Sequence, residues 1–146
     1  MHAFGTNPKK WWPLDGFFAI ADQTFQQYRL PTVFVGDGEA LSLVKKHPKF
    51  HADRHAIAQD FDIRESAVVI QKSIAMLTTD SGPMHLAFAV RCPTLTLFGA
   101  TQPSIYGPCV DLDQHRVIHR DPLDKLTVEE VWDAWNGKLK IENDPE

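Results

Sequence analysis

Three turns that contain glycine follow short apolar runs of the length typical of buried β-strands. The turns span residues 36–39, 80–83 and 99–108. Helical patterns separate the runs, and this alternation predicts βαβ units, which build a parallel sheet covered by helices on both faces. Ligands of such sheets bind outside the carboxyl ends of the strands, where all three turns are expected to lie. The sequence therefore predicts an α/β fold with a binding site at that edge.

Hydrophobic periodicity gives the approximate bounds of the elements. The predicted helices cover 14–28, 39–46, 64–73 and 83–90, and a last helix opens with a capping box formed by Thr127 and Glu130. The predicted strands cover 32–35, 75–79, 94–98 and 116–119, and residues 2–4 resemble the end of a further strand that runs into a glycine turn. Residues 47–62 are predicted to form a loop, within which a short strand or a helical turn can lie.

One helix prediction includes a specific inward face. In the segment 64–73, the pattern predicts that Ala67, Val68 and Ile70 point towards the core, together with Ile74 just beyond it. This helix is expected to lead directly into the strand 75–79.

Composition narrows the class of protein. A chain of 146 residues is the size of one domain, so a single domain over 1–146 is expected. The net charge of −4 provides no broad basic face, which argues against nucleic acid as a partner. Two cysteines are too few for a disulfide framework, and no segment approaches the roughly 20 apolar residues of a membrane helix. With no apparent leader, the expected location is the cytoplasm.

The segment TTDSGPMHLAFAV, residues 78–90, is the most informative for function. Asp80 or Ser81 is expected to cap the following helix, Gly82 allows close approach of a ligand, and Pro83 suits the first helical turn. Unpaired amides at such a helix start form an anion site suited to a diphosphate, and His85 adds a donor in the same turn. On pattern alone, simple helix capping with a surface histidine is an equally weighted alternative.

Four pieces of the chain together resemble the second domain of glycosyltransferase family 9, the lipopolysaccharide heptosyltransferases. They are NPKKWWPLDGF, VFVGDGEA, ESAVVIQKSIAMLTTDSGPMHLAFAV and CPTLTLFGATQPSIYGP. Their order and spacing are similar over roughly residues 2–135. The resemblance implies one Rossmann-like half of a GT-B fold, which binds ADP-heptose or a related donor. It also implies inverting transfer to a lipopolysaccharide-type acceptor, without a metal or other cofactor.

The resemblance also implies roles for individual residues. Lys10 is expected to contact the donor's phosphates or sugar, although by itself it would be interpreted as a solvated surface charge. Asp80 is expected to hold sugar hydroxyls. The backbone at Ser81 and Gly82 is expected to meet the diphosphate, with His85 beside it.

Other positions match the family less closely. Glu39 is a weaker match to an acid on the nucleoside ribose, Arg91 replaces a common glycine, and the loop FGATQP lacks an acid that the family often has. These changes leave the donor's identity open. The family's first domain, which supplies the acceptor site and the general base, is not expected within this chain. A separate first-domain chain or a second copy of this chain is the expected partner.

Two further site hypotheses are weighed and rejected. His47, His51, Asp53 and His55 invite a metal site, but Pro48 interrupts the helix needed to align them, and a polar loop is the preferred interpretation. A serine hydrolase would need a nucleophile elbow, whose glycine pattern is absent around residue 81.

The four tryptophans are interpreted mainly as core residues, with sugar stacking as the less favoured option. They are Trp11, Trp12, Trp132 and Trp135.

The main rival to a glycosyltransferase is a non-catalytic module that binds a nucleotide and presents its cleft face to a partner.

Overall fold

The computed structural model describes residues 1–109 and 113–142, with the backbone alone for 141 and 142. Strands and helices alternate along the chain, as predicted. The strands are Thr32–Phe34 (β1), His55–Ile57 (β2), Met76–Thr79 (β3), Thr94–Phe98 (β4) and His115–His119 (β5). The α-helices are Leu14–Tyr28 (α1), Gly38–Lys46 (α2), Ile63–Gln71 (α3), Gly82–Ala89 (α4), Pro103–Tyr106 (α5) and Val128–Glu142 (α6). Short 3-10 turns occupy Pro8–Lys10 and Leu123–Lys125.

The first residues of the chain join two groups of parallel strands. β1 pairs with β2, while β3, β4 and β5 form the other group. Between the groups, the Val35 amide donates to Met1 O at 2.9 Å and the His2 amide donates to Leu77 O at 3.0 Å. Counting this opening segment as the first strand gives the spatial order 3-2-1-4-5-6, the Rossmann arrangement. The strand order reverses between the opening segment and β3.

Helix α1 packs against the sheet through the apolar face that its sequence predicts. Phe17, Phe18 and Ile20 are fully buried, and the helix ends where Arg29 adopts the left-handed conformation at φ 59°. A Cβ on Gly16 would lie 2.5–2.8 Å from three ring atoms of Trp12. Glycine is therefore required there for the tryptophan ring to pack against the first turn of the helix.

The element predictions are largely confirmed. The helix 14–28 has the predicted bounds, and the loop 47–62 contains β2 as its short strand. The capping box is present: the Thr127 amide donates to Glu130 Oε2 at 2.9 Å, and the Glu130 amide donates to Thr127 Oγ1 at 3.2 Å. The loop 99–108 contains a helix, Pro103–Tyr106, that periodicity over so short a segment could not reveal.

The predicted inward face of α3 is partly wrong. Val68 is 54% exposed and Ile74 is 38% exposed, whereas Ile70 is buried and Val69 packs beside it. Two residues along a helix turn it by about 200°, so Val68 faces away from the core when Ile70 faces it. Ile74 follows the last helical residue and no longer obeys the helical period.

Trp12 and Trp135 lie in the main core, as the preferred interpretation predicted. Each is almost fully buried, and each indole N–H donates to a partner: Trp12 Nε1 to Leu126 O at 2.9 Å, and Trp135 Nε1 to Thr24 Oγ1 at 3.0 Å. Satisfied indole donors of this kind are typical of structural tryptophans.

A buried histidine fixes the loop before β2. His55 is 3% exposed, and its Nδ1 accepts the His51 amide at 3.1 Å. The ring proton therefore resides on Nε2, which lies 3.3 Å from Asp22 Oδ1 without reaching hydrogen-bonding geometry. Burial lowers the pKa of His55, and the Asp22 carboxylate opposes this shift only in part. The ring is neutral in the folded chain at pH 7.

The burial of His55 predicts that the free energy of unfolding decreases in mild acid. Because the folded pKa of His55 lies below the unfolded value, about 6.5, the unfolded chain binds more protons as the pH drops below that value. We expect the free energy of unfolding, measured by urea titration, to decrease from pH 7 to pH 5. The decrease should be shallower in His55→Gln than in the unsubstituted chain. Equal slopes in H55Q and the unsubstituted chain would contradict this explanation.

Candidate functional site

A cleft of about 650 Å³ opens at the point where the strand order reverses. Its walls include residues 5–7, which follow the opening segment, the turn 80–83 after β3, and Gly36 and Asp37 after β1. Tyr106 of α5 completes one side. The predicted edge of the sheet is therefore the concave surface of the fold, in the position where Rossmann-like sheets bind ligands.

The start of α4 is not capped by a side chain, so this part of the sequence prediction is wrong. Ser81 Oγ turns back to donate to Thr79 O at 3.1 Å, and the Asp80 carboxylate is held by Lys10 and Thr101. Pro83 has no amide hydrogen. Within residues 1–109 and 113–142, the amides of Gly82 and Met84 donate to no other atom. Unpaired donors at the positive end of a helix favour an anion.

Lys10 and Asp80, which are far apart in sequence, form an ion pair at the cleft. Lys10 Nζ lies 2.8 Å from Asp80 Oδ2, and the two side chains are 24% and 4% exposed. The 3-10 turn that carries Lys10 is held by Asn7, whose side chain accepts the Lys9 amide at 3.0 Å. Lys10 is therefore a partly buried cleft residue, and the interpretation as a solvated surface charge is wrong.

His85 and Glu39 occupy different positions relative to the cleft. His85 is exposed on α4, lines the cleft, and contacts Phe88 edge to face with ring centroids 5.8 Å apart. Glu39 is exposed in the first turn of α2 and does not line the cleft; its neighbour Asp37 does, while also capping α2 through the Ala40 amide at 2.8 Å. The ligand roles of both residues stay predictions.

Three residues beside the cleft were not predicted from the sequence. Thr101 donates to Asp80 Oδ2 at 2.6 Å, and the Tyr106 ring centroid lies 5.7 Å from Lys10 Nζ. His2 is buried against the cleft with Nδ1 donating to Val35 O at 2.9 Å, and desolvation lowers the pKa of its imidazole. Thr101 could have been found from the strand order. β3 and β4 are neighbouring parallel strands, so residues just beyond their carboxyl ends, such as Asp80 and Thr101, lie close together.

The histidines of segment 47–55 make separate packing contacts and do not gather around one site. His47 stacks on Phe18 with centroids 4.6 Å apart, and His55 is enclosed by the contacts described above. In the part of the chain that the structure describes, no three metal-ligating side chains come together as a metal site. Across the same residues, no helix has the length and apolar character needed to cross a membrane.

Comparison with known proteins assigns the family. The family model described as glycosyltransferase family 9 (heptosyltransferase) matches residues 2–135. The chain belongs to glycosyltransferase family 9. Among curated members of the family, lipooligosaccharide heptosyltransferase 2 of Haemophilus influenzae is 28% identical over 111 residues, which cover 71% of this chain and 31% of that protein.

Solved structures of heptosyltransferases share the fold. Escherichia coli ADP-heptose lipopolysaccharide heptosyltransferase II superposes with a TM-score of 0.83 at 22% identity, over 98% of this chain and 46% of that one. E. coli heptosyltransferase WaaC, solved with ADP, gives a TM-score of 0.82 at 18% identity, over 94% and 43% of the two chains. The family 9 chain thus spans less than half of these relatives and has the fold of one half of a GT-B glycosyltransferase.

Proposed function

We propose that this chain binds the donor of a family 9 glycosyltransferase, ADP-heptose or a closely related nucleoside diphosphate sugar. The observation that carries the proposal is the start of α4, where the unused Gly82 amide lines a cleft that also contains the Lys10 ammonium. Backbone donors and a cation at a helix start suit a diphosphate. The similar WaaC structure contains ADP, which makes adenosine diphosphate the first nucleotide to test.

The same groups suit the chemistry of sugar transfer. An acceptor hydroxyl oxygen attacks the anomeric carbon from the face opposite the diphosphate, the bond from that carbon to the diphosphate breaks, and a general base takes the hydroxyl proton. Negative charge grows on the departing diphosphate, where the α4 amides, Lys10 and His85 would stabilise it. Under this proposal the reaction inverts the anomeric carbon and needs no metal. The acceptor is of lipopolysaccharide type, and a first domain supplies the base.

Asp80 has a separate role in this scheme. Its carboxylate is almost fully buried beside Lys10, so it is positioned to accept hydrogen bonds from the hydroxyls of the donor sugar. One ion pair would then bind both parts of the donor, with Asp80 on the sugar and Lys10 on the diphosphate. Glu39 remains a candidate for binding the ribose. Because Glu39 does not line the cleft, the ligand would have to extend beyond the cleft to reach it.

The binding half of the proposal is tested by Lys10→Ala. Losing one charge-assisted contact to the diphosphate should weaken ADP binding by about ten- to a hundredfold, since such contacts are worth roughly 1.5–3 kcal/mol. Isothermal titration calorimetry of the chain with ADP measures the change. Lys9→Ala is the matched control, because Lys9 is an exposed neighbour outside the cleft lining and should leave the affinity unchanged. Equal affinities of K10A and the unsubstituted chain would remove Lys10 from the site.

The rival proposal is a non-catalytic nucleotide-binding module, which the cleft and the unpaired amide at the start of α4 would serve equally well. A transfer assay with ADP-heptose and a lipopolysaccharide-core acceptor separates the two. The assay is run with the chain alone, as a homo-oligomer where one forms, and mixed with a candidate first-domain chain. Product in any of these supports the enzyme, whereas ADP binding without turnover in all of them supports the module.

A further inference from the structure

Two donors converge on one oxygen of Asp80. Lys10 Nζ lies 2.8 Å from Oδ2, and Thr101 Oγ1 donates to the same Oδ2 at 2.6 Å. The second oxygen, Oδ1, accepts no hydrogen bond from the described residues, and it is not among the fully enclosed unpaired atoms. The carboxylate is therefore anchored through Oδ2, and Oδ1 is left for a ligand of the cleft that Asp80 lines.

The loop that carries Thr101 is held close to Lys10 by its own packing. A Cβ on Gly99 would lie 3.0 Å from Leu123 Cγ and 3.3 Å from Lys9 O. Glycine therefore allows this loop to lie close to both 3-10 turns, including the one that carries Lys10. His119 Nε2 also lies 3.0 Å from Gly99 O, within hydrogen-bonding distance. The loop before Thr101 is thus packed against the turn that carries Lys10, and the Thr101 hydroxyl reaches Asp80 from this packed loop.

The two anchors of Asp80 differ in how they respond to an anionic ligand. Lys10 carries three N–H donors and a full charge, so a diphosphate in the cleft competes with Asp80 for it. The Thr101 hydroxyl is neutral and has far less attraction to the diphosphate. It can hold Oδ2 in place while the ammonium shifts towards the phosphate oxygens.

We propose that Thr101 is a positioning residue that keeps the Asp80 carboxylate oriented towards the donor sugar when Lys10 engages the diphosphate. This inference rests on the proposed donor-binding function and adds a residue that sets the preference for a sugar nucleotide over the bare nucleotide. Without the hydroxyl, Asp80 keeps only Lys10, and the carboxylate loses its anchor when the ligand arrives. The effect should therefore fall on ligands that carry the sugar.

The test compares Thr101→Val, which removes the hydroxyl at nearly constant volume, with Thr101→Ser, which retains it. Calorimetry of each chain with ADP and with ADP-heptose gives both affinities. We expect T101V to lose about tenfold in affinity for ADP-heptose and less than about twofold for ADP, as one hydrogen bond to a charged group would produce. T101S should stay within about twofold of the unsubstituted chain for both ligands.

A ligand-free measurement separates failure of this inference from failure of the donor-binding proposal. The ¹³Cγ chemical shift of Asp80 reports its hydrogen bonds and should change in T101V but not in T101S. An unchanged shift in T101V overturns the inference, as does an equal loss of affinity for ADP and ADP-heptose or an unaltered affinity for both. If the unsubstituted chain binds neither ligand, the proposed function fails and the donor preference assigned to Thr101 fails with it.

Discussion

Trp12→Ala should destabilise this chain by about 3–5 kcal/mol, the range found when a large buried aromatic side chain is truncated. Trp12 is 2% exposed, packs edge to face on Phe17 with centroids 5.3 Å apart, and lies against Gly16. The substitution also leaves Leu126 O without the indole donor that satisfies it at 2.9 Å. Since small domains have roughly 5–15 kcal/mol of total stability, much of the margin disappears.

Urea denaturation followed by circular dichroism measures this loss. Trp132→Ala is the matched control, because Trp132 is only partly buried and packs at the margin of the same core. Its loss should be clearly smaller. Comparable losses in W12A and W132A would show that Trp12 is not the anchor that its burial indicates.

Gly82→Val should reduce ADP affinity at least tenfold without reducing stability. A Cβ at Gly82 meets nothing within 4 Å, so the folded chain has room for the larger side chain. The residue nevertheless lines the cleft at the start of α4, where the proposed diphosphate must approach the backbone closely. The added methyl groups would occupy that approach and keep the phosphate oxygens beyond hydrogen-bonding distance of the amides.

Gly38→Val provides an unusually close control. Gly38 is also the first residue of a helix and also has nothing within 4 Å of its Cβ position, but it does not line the cleft. Calorimetry with ADP should find G38V unchanged and G82V weakened, while thermal unfolding finds both folded. Normal ADP binding by G82V would place the diphosphate elsewhere.

The fold was accessible to sequence reasoning because its signals are local and repeated. Helix α1 has a long apolar face, and β4 is a buried apolar run between Pro93 and Gly99, so periodicity and turn residues located both. Short elements were less predictable. α5 has four residues, too few to show a helical period, and the orientation of Val68 depended on which neighbouring positions packed against α4.

The position of the cleft was predictable, but the contacts between its residues were predictable only in part. The turn 80–83 could be assigned to the ligand edge because parallel strands end there together. The partner of Asp80 was harder to foresee, since capping its own helix and pairing with Lys10 compete for the same carboxylate. Tertiary contacts between residues 10, 80 and 101 decided that competition, and no local pattern encodes them.

Opposite walls of the cleft belong to different groups of strands. Gly36 and Asp37 follow β1, whereas the turn 80–83 follows β3. A ligand that fills the cleft would therefore bridge the two groups. Because such a ligand binds the folded chain alone, its binding free energy would add to the stability of the whole sheet.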